Sequence, residues 1–160
     1  MNHTRSSAAW AHWPVLFALL VSLLIVVPGR VAAAPSDVVQ TASDKSFDQT
    51  VAALNQQIVA HGMVVVNKLN HTEMLSMVGV HAQPSMALEV FQPRLGATIY
   101  SADRGALLMV PVRILVQRDG GKVMVDYVKP SALFASYSGL GGLGSQLDST
   151  LAAIVAAATK

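Results

Sequence analysis

The apolar positions of the chain follow two periods, and the changes between them predict its secondary structure. Runs rich in strand-forming residues predict five β-strands, at residues 36–43, 63–69, 86–91, 111–118 and 122–128. Between and after these runs, apolar residues recur every three or four positions, which is typical of a helix that buries one face. We therefore expect helices at 46–61, 70–78, 95–108 and 146–158, with a short helical turn from Ser131.

Local signals indicate where several of these elements begin and end. Ser46 and Gln49 have the spacing of a capping box, and Asn70 precedes Glu73 in the same way at the second helix. An Asp-Gly-Gly turn at 119–121 joins the last two strands as a tight hairpin, which is antiparallel. The order β-α-β-α-β-α-β-β-α therefore predicts an α+β fold, an antiparallel-rich sheet with helices packed on one face.

A run of fourteen residues without a charge, 14–27, lies near the N-terminus, after Arg5 and before the small residues of 31–34. This arrangement is typical of a secretory signal peptide. We place the cleavage after Ala33, which gives a signal peptide at 1–33 and a single α+β domain at 34–160, periplasmic or secreted. The alternative is an uncleaved anchor, although a spanning helix needs about 20 apolar residues. Cleavage would leave no stable membrane span.

Removal of the leader changes the charge of the protein. Two of the eleven basic residues, Arg5 and Arg30, lie in it, so the domain keeps nine basic and nine acidic residues and a net formal charge of zero. The basic residues are scattered, which disfavours a nucleic-acid partner. The chain has no cysteine. That excludes cysteine nucleophiles, thiolate zinc sites and iron–sulfur clusters.

Several segments resemble the Domain of Unknown Function 302 family, a set of small α+β bacterial proteins. The most specific is 110–130, a strand that follows a proline, a glycine turn and a strand that ends near a tyrosine. The other matching positions are Ser46-Phe47, Leu54, Gly62, Asn70-His71 where the family usually has Asp-His, and Phe91-Gln92-Pro93-Arg94 where it tends to have Asn-Pro and a basic residue. The likeness covers about residues 37–158.

The resemblance implies an antiparallel-rich α+β fold and a homodimer, and it implies no activity. Asn70 and Gln92 depart from the family pattern, so a role that needs a carboxylate or a shorter amide at these positions does not transfer.

A glycine-rich segment at 139–144 matches G-x-G-x-x-G. A dinucleotide site of this kind needs a strand immediately before it and an acidic residue about 20 positions later. Here a short helical or irregular stretch precedes the glycines, and the chain ends sixteen residues after Gly144. We interpret the segment as a flexible turn.

The candidate ligand-binding residues are His71, Arg94, Arg113 and Tyr127. His71 falls in the first turn of the second predicted helix, where the helix dipole disfavours imidazolium and favours the neutral ring that serves as a ligand or base. Arg113 and Tyr127 lie on the two strands of the hairpin, and with Arg94 they could converge on an anion. The simpler interpretation is that all three are outward-facing residues.

The candidate metal ligands are His71, Met74 and His81. Thioethers select Cu(I), and no cofactor other than copper or haem is suggested by these residues. The simpler interpretation is that Met74, Leu75 and Val78 share a helix face with His71 and pack against the core, where methionine fills irregular gaps.

Two functions remain open. The first is a non-catalytic exported domain that binds a small ligand, a metal or a partner protein. The second is a metal- or haem-dependent enzyme or redox-accessory protein that uses His71.

Overall fold

A computed structural model describes residues 37–160, so the signal peptide predicted at 1–33 lies outside the described residues. The strands are Val38–Ser43 (β1), Val64–Asn70 (β2), Ser85–Phe91 (β3), Val112–Asp119 (β4) and Lys122–Val128 (β5). The helices are Phe47–Ala60 (α1), His71–Ser76 (α2), Pro93–Ala102 (α3), Pro130–Leu133 (α4) and Gly141–Thr159 (α5), with a 3-10 segment at Arg104–Met109. The predicted α+β class and element order are confirmed.

The strands form one sheet in the order β1-β5-β4-β3-β2, and each neighbouring pair is antiparallel. The Gly120-Gly121 turn joins β4 to β5 with positive φ at both glycines, as a tight hairpin requires. Ser46 and Gln49 form the predicted capping box at α1, and the Asn70 side chain accepts from the Glu73 N–H at α2.

One face of the sheet carries the hydrophobic core. Alternate strand residues point to this face, because side chains in a strand point to opposite sides in turn. They pack against α1, α3 and α5, and the fully or almost fully buried residues of the cluster include Leu54, Ile58, Leu88, Val90, Ile99, Val112, Ile114, Val116, Val125, Leu147, Leu151 and Ile154. Helices packed on one face are therefore confirmed.

The helix predicted at 95–108 is wrong in its second half. Asp103 has an extended backbone, with φ −156° and ψ 114°, and this ends α3. Its Oδ1 then accepts a hydrogen bond of 2.8 Å from the Gly105 N–H, which starts the 3-10 segment. A short polar side chain that bonds to the backbone two residues later competes with helix continuation.

The flexible turn predicted at 139–144 is also wrong from Gly141 onward, because α5 begins at Gly141 rather than near Gln146. Gly144 is buried in the first turns of that helix. A Cβ at Gly144 would lie 2.7 Å from the Ser131 Cα, so the glycine allows α5 to pack directly on the backbone of α4. Close packing of the two helices therefore explains why residue 144 is a glycine, without any role in nucleotide binding.

Within residues 37–160, no helix has the length and apolar character needed to cross a bilayer.

Candidate ligand site on the open sheet face

The face of the sheet away from α1, α3 and α5 is called the open face below. The register places its residues in three rows across the strands. The middle row contains Gln40, Asp126, Leu115, Ala87 and Leu69, from β1 to β2. The outer rows contain Val38, Val128, Arg113, Glu89 and Asn67 on one side and Ala42, Met124, Gln117 and Ser85 on the other, with His71 just beyond the end of β2.

A shallow cavity of about 370 Å³ lies on this face. Its lining is mostly apolar, and the polar side chains of the open face border it. The lining residues are Val38, Leu69, His71, Ala87, Arg113, Leu115, Asp126, Tyr127 and Val128. Concave, mainly apolar surfaces with a few polar groups are the usual form of small-molecule sites.

Asp126 is the most unusual residue of the cavity. It sits in the apolar strand β5 and is only 7% exposed. Its Oδ2 accepts a hydrogen bond of 2.6 Å from the Gln117 Nε2. Its Oδ1 is enclosed and has no hydrogen-bond partner among the described residues. Leaving a buried acceptor unpaired costs about 1–3 kcal/mol, and more for a charged group. The carboxylate is therefore half satisfied.

His71 closes the cavity at the β2 side. It is half-buried as the first residue of α2, and its Nδ1 lies 3.4 Å from the Ser85 Oγ. The Thr72 hydroxyl accepts a hydrogen bond of 2.8 Å from the Ser85 N–H and donates one of 3.2 Å to the Gln83 carbonyl. These bonds anchor the first turn of α2 to β3, so they fix His71 at the edge of the open face.

Arg113 lies on the other long side of the cavity. Its Nε donates to the Glu89 Oε1 over 3.1 Å, and the Asn67 Nδ2 donates to the Glu89 Oε2 over 3.2 Å. Both Glu89 oxygens thus have a partner. Arg113 is 68% exposed and makes no other side-chain hydrogen bond within residues 37–160, so the outer part of its guanidinium is free.

The other predicted ligand residues lie elsewhere. Arg94 is exposed on the first turn of α3 and does not line the cavity. Tyr127 borders the cavity through its place in β5, but its side chain belongs to the core and is 5% exposed. Burial, together with the Asp148 carboxylate, raises the pKa of the Tyr127 hydroxyl above its ordinary value of 10.0. Arg113 and Tyr127 therefore face opposite sides of the sheet rather than converging.

Within residues 37–160, the three predicted metal ligands do not come together at one site. Met74 and His81 are both exposed, whereas His71 is turned toward Ser85. No group of three or more His, Asp or Glu side chains within residues 37–160 could hold a metal ion. The predicted packed face of this helix is wrong, because Met74, Leu75 and Val78 are exposed. Helix α2 ends at Ser76, and its first turn is hydrogen-bonded to β3 through Thr72 and Ser85.

Sequence reasoning missed Asp126 and Gln117. The signal was present as one carboxylate inside the apolar run 122–128, at a position that shares a face with Met124 and Val128. An isolated charge at the centre of a strand is informative because such residues are rarely buried without a partner. The arrangement is suited to holding a ligand through one hydrogen-bond acceptor above an apolar floor.

The fold and the open face define a class of small α+β domains built on one antiparallel sheet with a single covered side. The family model for "Domain of unknown function DUF302" matches residues 39–158, and the chain belongs to this family. A solved structure, an uncharacterized conserved DUF302 protein from Bacillus stearothermophilus, is similar with a TM-score of 0.74. Its sequence is 19% identical, and the match covers 79% of this chain and 100% of that chain. No curated protein matches this chain.

Proposed function

We propose that this protein is a non-catalytic binding domain that holds an amphipathic small molecule on its open face. The enclosed, unpartnered Oδ1 of Asp126 beside a cavity of about 370 Å³ is the observation that carries the proposal. The Asp χ2 torsion is broad, so we expect a rotation of the side chain to turn this enclosed oxygen toward the cavity when a ligand binds. A ligand with a hydroxyl, amide or ammonium donor then completes the hydrogen bonding of the carboxylate.

The remaining surface determines the body of this ligand. Leu69, Ala87 and Leu115 form an apolar floor between Asp126 and His71. Contact with this floor favours a hydrocarbon or aromatic body, because burial of apolar surface contributes about 25 cal/mol per Å². The donor head fixes the orientation, and the apolar body supplies most of the affinity.

Calorimetric titration with three probes of equal chain length tests this function. Hexylammonium is expected to bind more tightly than hexanol, and hexanoate to bind least, because only the first two donate to the Asp126 carboxylate. Asp126→Asn is expected to remove the preference for hexylammonium. Asp119→Asn, an exposed acid at the end of β4, is the matched control and is expected to bind as the unmodified protein does. Equal binding of all three probes contradicts the proposal.

The domain at 34–160 is proposed to act after export, in the periplasm or outside the cell. The pattern of a basic start, a short apolar run and small residues at 31–34 supports this location. N-terminal sequencing of the protein recovered from a bacterial host tests it. The expected first residue is Ala34, and recovery of the intact N-terminus in the membrane fraction contradicts it.

A homodimer and a metal or haem centre on His71 stay predictions. A second copy on the open face is the competing occupant of the cavity, and sedimentation velocity with and without hexylammonium distinguishes the two. A ligand that competes with dimer formation lowers the mass of the sedimenting species.

An absorption spectrum and elemental analysis test the metal or haem alternative, which requires a Soret band or a stoichiometric metal.

A further inference from the structure

A second cavity adjoins the first one at the edge of the open face. It has a volume of about 300 Å³ and is lined by the end of the 3-10 segment, by the start of β4 and by Leu133 of α4. Arg113 and Val128 line both cavities. The two cavities therefore meet at the Arg113 side chain, and a ligand that lies on the open face reaches this residue without leaving the protein surface.

Among the described side chains that line the two cavities, Arg113 is the only arginine or lysine. Each oxygen of the Glu89 carboxylate already accepts one hydrogen bond, from Asn67 or from the Arg113 Nε, and the terminal nitrogens of Arg113 are not used. A guanidinium that uses only its Nε keeps its terminal N–H groups, which form a planar fork suited to a carboxylate.

Asp126 and Arg113 have a fixed relation on the sheet. Leu115 is paired with Asp126, and Arg113 is two residues before Leu115 on β4. The two residues are thus diagonal neighbours, roughly 7–8 Å apart, with their Cβ atoms somewhat closer. A negative and a positive side chain at this separation match a ligand that carries a cationic group at one end and an anionic group at the other.

We propose that Arg113 is the anion subsite of the ligand cavity and that the ligand is a bifunctional molecule, an ammonium or other donor joined to a carboxylate through an apolar chain. This inference rests on the proposed function, since Asp126 holds the donor end. The carboxylate end lies against Arg113 at the boundary of the two cavities, and the chain between the ends covers Leu115.

The test compares 6-aminohexanoate with hexylammonium and hexanoate by calorimetric titration of the protein. The expected result is that 6-aminohexanoate binds more tightly than hexylammonium, by roughly tenfold, the scale of one added charge-assisted hydrogen bond. Arg113→Gln is expected to remove this advantage without weakening hexylammonium binding, because the variant loses a positive charge near a cationic ligand. Arg113→Lys is expected to keep part of it, because the charge remains and the fork is lost.

Two further variants sharpen the result. Arg118→Gln removes an exposed arginine from the same strand, outside both cavities, and is expected to leave 6-aminohexanoate binding unchanged. Glu89→Gln weakens the hold on Arg113 and is expected to strengthen 6-aminohexanoate binding without strengthening that of hexylammonium.

The outcomes separate this inference from the proposed function. If hexylammonium binds in an Asp126-dependent way but 6-aminohexanoate gains nothing, or if Arg113→Gln keeps the gain, the anion subsite is wrong and the proposed function stands. If none of the probes binds, both are wrong. An advantage of 6-aminohexanoate that survives Asp126→Asn contradicts the assignment of the donor end.

Discussion

Gln117 donates a hydrogen bond of 2.6 Å from its Nε2 to the Asp126 Oδ2, across the antiparallel pair of β4 and β5. Within residues 37–160 it is the only hydrogen bond that the Asp126 side chain receives. Because the carboxylate is almost fully buried, this single donor orients it and leaves the other oxygen, Oδ1, without a partner. Gln117 is thus a positioning residue, and Asp126 is the group that would contact the ligand.

Replacing Gln117 by Leu is expected to destabilise the protein. The substitution leaves both Asp126 oxygens without a donor, and an unsatisfied buried acceptor costs about 1–3 kcal/mol. The free energy of unfolding, measured with urea, should fall by that amount. Gln56→Leu, at an exposed position of α1, should change it little. An unchanged unfolding free energy in Gln117→Leu would show that water already satisfies the carboxylate.

The double variant Gln117→Leu with Asp126→Leu is expected to recover the stability lost in the single variant. Replacing both partners of a buried polar pair by apolar groups leaves no unsatisfied atom, and such changes are neutral or stabilising. The preference for hexylammonium over hexanoate should be lost at the same time. Together with the two single variants, the double variant completes a double-mutant cycle. A loss of unfolding free energy in the double variant that equals the sum of the losses in Gln117→Leu and Asp126→Leu would contradict a direct Gln117–Asp126 interaction.

Gly144→Ala is expected to destabilise the packing of α5 on α4. The new Cβ would lie 2.7 Å from the Ser131 Cα, so the helix must shift, and overpacking of this kind costs roughly 1–3 kcal/mol. Gly142→Ala in the same helix turn is the matched control, since no neighbouring atom lies within 4 Å of its Cβ position. It should stabilise by about 0.4–1 kcal/mol. Thermal unfolding of both variants measures the difference in stability between them. A nucleotide-binding role for these glycines does not predict such a difference.

Tyr127 is expected to make the stability of the protein fall in alkaline solution. Burial and the Asp148 carboxylate raise its pKa in the folded protein above 10.0. The unfolded chain therefore loses the tyrosine proton first, and the contribution is complete below about pH 10 and is lost as the pH rises through the folded pKa. Urea unfolding between pH 8 and pH 11 (roughly, bracketing the ordinary tyrosine pKa) measures this slope.

The slope should be shallower in Tyr127→Phe, which removes the titrating group. Tyr100→Phe, at an exposed position on α3, should keep the original slope. Equal slopes in all three proteins would show that the Tyr127 hydroxyl is not held in its protonated form by its surroundings.

Much of the fold followed from local chemistry. The capping box at Ser46 and the double glycine at 120–121 act over a few residues, so the sequence alone locates the start of α1 and the β4–β5 hairpin. The end of α3 and the start of α5 could not be located in this way. The end of α3 depends on the hydrogen bond between Asp103 and Gly105. The start of α5 depends on the close approach of Gly144 to Ser131, which belongs to a different helix.

The candidate site was only partly predictable for the same reason. His71 and Arg113 were identified from residue type and position, and both line the cavity. Asp126 gains its importance from its burial and from Gln117 on the neighbouring strand. The hairpin turn sets the register of these two strands, whereas no local signal gives the burial of Asp126. The hairpin register together with side-chain alternation separates Arg113 from Tyr127, since Tyr127 lies opposite Ile114 of the core face.

A two-dimensional ¹H–¹⁵N NMR titration of the protein with hexylammonium tests most directly whether the open face is a ligand site. We predict chemical-shift changes concentrated at the open-face residues Leu69, Ala87, Leu115 and Val128, and smaller changes at the same hexylammonium concentration in Asp126→Asn. Shifts that concentrate on α1 and α5 instead, or that persist unchanged in Asp126→Asn, would contradict a ligand site on the open face.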